Sequence, residues 1–95
     1  MKIIIMKITL RASWVHSLKE KRMVVKSLVK KLQNTFNVSV SEVENQDIHK
    51  NIVIGISGVC INNKQADSTM ENIINFVYEN TDAEVINIDS TIDVY

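Results

Sequence analysis

The sequence predicts an α+β plait: one four-stranded antiparallel sheet with both helices on one face. Three observations predict it. The hydrophobic period switches between two and about 3.6 along the chain in the order βαββαβ. The first and third strands carry apolar residues on both parities, as central strands do, whereas the fourth mostly alternates. Two βαβ units with right-handed crossovers, joined by a hairpin, then give the strand order 4-1-3-2. In that arrangement the first and third strands are expected to be adjacent, central and parallel to one another.

From Lys2 to Ala12 the even positions Ile4, Met6, Ile8, Leu10 and Ala12 are apolar, while the odd positions begin with Ile3 and Ile5 and turn polar at Lys7. That is a strand with one face in the core and the other partly wet. Ser13 to His16 breaks the alternation. Ser17 with Glu20 three residues on forms a capping box, in which each side chain takes an otherwise orphan N–H, so a helix starts there. Within it Leu18, Val25, Leu28, Val29 and Leu32 make one apolar stripe, and Lys19, Arg22, Lys26, Lys30 and Lys31 fall mostly on the other side. The period changes again between Asn34 and Asn37, with Phe36 expected to tuck under the helix.

Val38 and Val40 alternate, but the next apolar residue is Val43, and such a slip of parity marks a bulge, expected near Ser41 or Glu42. Glu44 to Lys50 reads as a hairpin loop. Asn51 to Ile61 is a strand whose Ile52, Val53, Ile54 and Ile56 imply cover on both faces. Asn62 to Gln65 leads into a second helix with Ala66, Met70, Ile73, Ile74 and Val77 inward. Val85, Ile86, Ile88, Ile92 and Val94 mark the last strand. The ordered set is the split-βαβ, ferredoxin-like plait, and 95 residues provide for one such domain, 1–95.

Composition narrows the function classes. No apolar run reaches the roughly 18 to 20 residues of a membrane span, and the N-terminal stretch lacks the long apolar core and small-residue cleavage site of an export signal. A cytoplasmic protein is expected. The single Cys60 has no internal disulfide partner and reads as a small buried hydrophobe. Zero net charge conceals a division: residues 1–34 hold nine Lys and Arg against Glu20 alone, and residues 35–95 hold two against ten acids. The chain is a dipole along its sequence.

Nothing in it rises to a catalytic or metal signature. The acids are spread at ordinary surface spacing, and His16, His49 and Cys60 lie in three separate elements without the close spacings of zinc sites. Gly55 to Gly58 spells GxxG, but inside a β-branched strand it reads as a packing accommodation rather than a backbone clamp. The phosphate-binding first loop of small acylphosphatases is Gly-rich with an Arg, and Ser13 to His16 has neither. RNA-recognition motifs stack bases on aromatics of the first and third strands. Here neither strand has one.

Two surfaces remain. The basic side of the first helix, Lys19, Arg22, Lys26 and Lys30, with Arg11, Trp14 and His16 before it, suits a phosphate backbone; its alternative is a solvated face whose lysines pair with the acids of the second half. Trp14 itself reads either as a stacking residue or as a hydrophobic plug over the end of the core. The sheet face left open by the helices offers Ile3 and Ile5, and an uncovered aliphatic face marks a subunit interface.

Ser17 to Arg22, followed by Val24-Val25-Lys26-Ser27-Leu28, Phe36-Asn37-Val38-Ser39-Val40 and Glu42-Val43, closely resembles the small bacterial YlxP-like family. The likeness runs through Asp47 and Ile54-Gly55 and weakens after Asn62. It implies a ferredoxin-like fold, and, because genes of such members tend to lie beside those for translation-initiation and ribosome-maturation factors, a connection to RNA or the ribosome. Members often have a Trp shortly after the Asp. Here Ile48, His49 and Lys50 follow instead.

The reading is thus a cytoplasmic, non-enzymatic accessory factor without cofactor or metal, bound to RNA or a ribosomal subunit through the first helix. Its alternative is a homo-oligomeric module, a dimer through Ile3 and Ile5, without nucleic acid. A basic ridge free of acidic partners favours the first, and one neutralised internally favours the second.

Overall fold

A computed structural model describes residues 1–95. Its elements are β1 (Lys2–Arg11), α1 (Leu18–Thr35), β2 (Ser39–Glu44), β3 (Asn51–Cys60), α2 (Asn63–Asn80) and β4 (Glu84–Val94), and the sheet runs β2-β3-β1-β4. This is the expected ferredoxin-like order, with β1 and β3 central and both helices on one face. One expectation fails: β1 and β3 are antiparallel, not parallel. The reason is topological. The α1 crossover makes β1 and β2 parallel, and the hairpin after β2 then reverses β3 against both.

Alternation decides which side chains enter the core. Ile4, Met6, Ile8 and Leu10 of β1 face the helices beside Ile52, Ile54 and Ile56 of β3, and Val25, Leu28, Leu32, Ala66, Ile73 and Val77 close over them. Burying each of the large aliphatics contributes about 1.5–3 kcal/mol, so one continuous core stabilises the plait. Val15 is completely buried and plugs the end of β1, with its N–H donating to the Ala12 carbonyl. The helices meet at Phe36 and Phe76, edge to face at 5.5 Å. The second helix begins at Asn63, because Asn62 caps it: its Oδ1 accepts from the Gln65 N–H while Gln65 Oε1 accepts from the Ile61 N–H.

On the open face no second layer covers β3. Val53 alone is buried there, between Thr9 and Glu44 in register, and Gly55, Ser57 and Val59 follow with decreasing cover. The expected bulge falls one residue later than its parity suggested. Glu42 pairs with Ile54 and Glu44 with Val53, leaving Val43 as the extra residue. Val43 lies over Gly55, where an added Cβ would stand 2.7 Å from its Cγ1. Gly58 plays the same part for Val38 at 2.9 Å. The two glycines are therefore packing accommodations.

If that is their role, Gly55→Ala costs about 1–3 kcal/mol by overpacking, and adding Val43→Ala recovers most of it. Urea melts of the two single variants and the double variant measure this; strictly additive losses would break the link between them.

Candidate nucleic-acid interface

The first helix is built by its cap and its stripe. The Ser17 hydroxyl accepts from the Glu20 N–H at 3.1 Å; the return bond of a full capping box is not made. At the far end the Phe36 N–H still reaches the Leu32 carbonyl at 2.9 Å. Val25, Leu28 and Leu32 are buried, Leu18 and Val29 partly so, which turns Lys19, Arg22, Lys26 and Lys30 outward. All four are exposed. None has a carboxylate within 4.0 Å, since the ion pairs of the molecule are Lys7–Glu44 and Lys21–Glu42.

The division of charge along the sequence survives in space. The ridge lies on α1, which packs above β2, whereas Asp67 and Glu71 are exposed on α2 and Glu84, Asp89 and Asp93 on β4 at the opposite edge of the sheet. The remaining residues singled out from sequence do not join the ridge. Arg11 ends β1 on the parity of the open face, between Asn51 and Glu84 in register. Trp14 is half-exposed on the α2-facing flank of α1, beside Met23 and Lys31. His16 is exposed just before the cap.

Ile3 and Ile5 do lie on the open face, partly buried and exposed respectively, with Val59 beside Ile3 in register. Polar groups share that face. Lys7 donates to Glu44 at 3.0 Å, and the hydrogen bond and charge of Glu44, with Asp89 beyond, raise its pKa above the ordinary lysine value.

Sequence reasoning missed Lys21. It is 1% exposed, and its Nζ reaches Glu42 Oε2 at 2.8 Å, the Ile48 carbonyl at 2.8 Å and the Asn45 carbonyl. Three donors thus meet three acceptors. That ammonium is the sole polar partner of Glu42 Oε2, itself buried. Asn45 adopts a left-handed conformation, φ 59°, which Asn tolerates better than most residues. Its carbonyl also takes the Ile48 N–H at 3.0 Å, so the lysine holds a closed turn. The signal was present: Leu18, Lys21, Val25, Leu28 and Leu32 follow at alternating spacings of three and four, the period of the inward stripe.

No three His, Cys, Asp or Glu side chains come together as a metal site would require. No helix is long and apolar enough to cross a membrane. A family model described as a protein of unknown function, DUF503, matches residues 3–90. The chain belongs to the DUF503 family. It is similar to the uncharacterized protein YlxP of Bacillus subtilis (strain 168), 38% identical over 61 residues. That match covers 64% of this chain and 66% of the relative, just under two thirds of the relative's own length. In this DUF503 chain the SLKEKR segment therefore has two physical parts: Lys19 and Arg22 begin the exposed ridge, and Lys21 points inward to the β2–β3 connection.

Removing one partner of this buried pair leaves an unpaired charge, so Lys21→Met costs about 3–5 kcal/mol. The double change Lys21→Met with Glu42→Gln regains much of that loss, and the remainder reflects the two orphaned carbonyls. Urea denaturation reads the stabilities and amide exchange over 45–50 reads the loop. A loss below about 1 kcal/mol in the single variant would mean that the ammonium is in practice hydrated.

Proposed function

We propose that the chain is a cytoplasmic, non-enzymatic accessory factor that associates with RNA, in a ribosomal setting, through the exposed basic ridge of α1. One observation carries the reading: Lys19, Arg22, Lys26 and Lys30 share one side of a helix without a carboxylate within 4.0 Å of any of them. Arg22 with Lys26, and Lys26 with Lys30, are like charges four residues apart, each such pair costing roughly 0.2–0.5 kcal/mol. A phosphate backbone relieves that repulsion and releases counterions on binding.

The ridge is about 16 Å long at the rise of an α-helix. Neither β1 nor β3 carries an aromatic, so the sheet offers no stacking platform, and the contact is with phosphates rather than bases. Affinity is then weak, sequence-tolerant and salt-dependent. Each phosphate contact adds about 0.7–0.9 to the slope of log affinity against log salt, so the ridge as a whole gives a slope near −3. The charge reversals Lys26→Glu and Lys30→Glu abolish binding to structured RNA and co-sedimentation with ribosomal subunits, while the melting curve stays that of a folded domain. Retained co-sedimentation with an unchanged slope would reduce the ridge to a solvated face.

Self-association is the second reading, favoured by Ile5, Val43 and Val59, three exposed aliphatics on the face that the helices leave open. The Lys7–Glu44 pair and the acids of β4 interrupt that patch, so it ranks second. Its expected signature is a dimer at roughly micromolar concentration that the pair Ile3→Lys and Ile5→Lys converts to a folded monomer. Light scattering decides it, and a monomeric native chain removes this reading.

A further inference from the structure

The α2-facing flank of α1 holds a groove of about 490 Å³ that neither reading uses. Trp14 enters it from the β1–α1 connection, Met23 and Lys31 from α1, and Glu79 and Asp82 from the end of α2 and the turn beyond. Two large apolar side chains stand partly in solvent there: Trp14 is 43% exposed and Met23 67%. Trp and Met are the kinds of surface residue that protein interfaces enrich.

The charges of the groove are unsatisfied. Glu79 and Asp82 have no cation within 4.0 Å. They flank the C-terminal end of α2, whose free carbonyls already form a negative pole, and no basic residue occupies the last turn. A single side-chain cap is present, the Asn80 amide donating to the Phe76 carbonyl at 2.9 Å. Two carboxylates at that pole destabilise the free helix end, and a bound cation would reverse the effect.

We propose that this groove docks an arginine-bearing segment of a basic protein partner. A guanidinium answers all the features at once: its plane stacks on the indole of Trp14, its forked N–H groups match a carboxylate, and its charge compensates the helix pole. An ammonium meets only the charge. An acidic segment is repelled. Lys31, on the α1 wall, is left to meet carbonyls of the docked backbone. None of Lys19, Arg22, Lys26 and Lys30 lines the groove, so the proposal stands apart from the RNA reading and the two can fail separately.

Trp14 is the single Trp of the chain, so its emission reports on the groove directly. The full chain is titrated with an acetylated, amidated Gly-Arg-Leu-Arg-Gly peptide, its Lys and Glu counterparts, and spermidine. The arginine peptide should give a saturable emission change, the lysine peptide a weaker one and the glutamate peptide none. Glu79→Gln with Asp82→Asn should weaken the arginine peptide at least about tenfold, the scale of one lost charge-assisted contact, with the circular dichroism spectrum retained. Lys26→Glu with Lys30→Glu should leave binding in place. Calorimetry on Trp14→Phe provides a second variant, expected to bind more weakly. No saturable response, undiminished affinity in both groove variants, or an equal response to spermidine would overturn the proposal.

Discussion

The ammonium of Lys21 sits inside the fold with three oxygen acceptors around it, and the layout of one end of the molecule follows from satisfying it. A lysine on the inward stripe of α1 is tolerable only where the facing strand brings a carboxylate to the helix side. Glu42 does so because it shares parity with Val40. Two residues later, Glu44 would face the helices as well and be buried without a partner. The extra residue Val43 prevents that, turning Glu44 to the open face, where it meets Lys7. Gly55 then leaves room for the displaced Val43. The buried charge, the bulge and the strand glycine form one connected solution.

The ion pair need not be strongly stabilising for this to matter. Well-packed apolar residues often stabilise as much as a buried pair. What the pair imposes is register: a slip of β2 by one residue would turn Glu42 to the solvent side and strand the lysine in the core, at a cost of several kcal/mol. The turn at Asn45 to Ile48 is under the same control, because its carbonyls complete the ammonium's shell. Ile48 itself projects into solvent from a turn whose backbone is tied down.

Much of this was legible in the sequence, and the exceptions have physical causes. The βαββαβ order, the central pair β1 and β3 and the Ser17 cap follow from local period and turn chemistry, which a chain displays openly. Relative strand direction does not. It depends on counting reversals through a crossover and a hairpin, and that count makes β1 and β3 antiparallel. Lys21 was hidden by its own chemistry, since its spacing marks it as inward while its charge places it with the exposed lysines around it. Only a partner on another strand resolves the conflict, and Glu42 lies 21 residues away along the chain. The ridge was legible as a pattern. That it lacks acidic neighbours was not, because ten acids downstream could have folded against it.

That lack reflects how the two helices are placed. Each βαβ unit sets its helix over its own strands, so α1 lies towards β2 and α2 towards β4, at opposite edges of the sheet. A chain basic in its first unit and acidic in its second is then polarised in space, unless the central strands interleave the charges. They do so on the open face, at Lys7 with Glu44 and Asp89, and not on the outer side of α1. Fields from separated charges reach about 8–10 Å in physiological salt, enough for the basic edge to orient an approaching polyanion while the acidic edge turns away from it. Net charge of zero therefore does not make the surface neutral to its partners. It gives the molecule a direction, and α1, fixed at one end by Lys21 and along its length by the core, holds that direction rigidly.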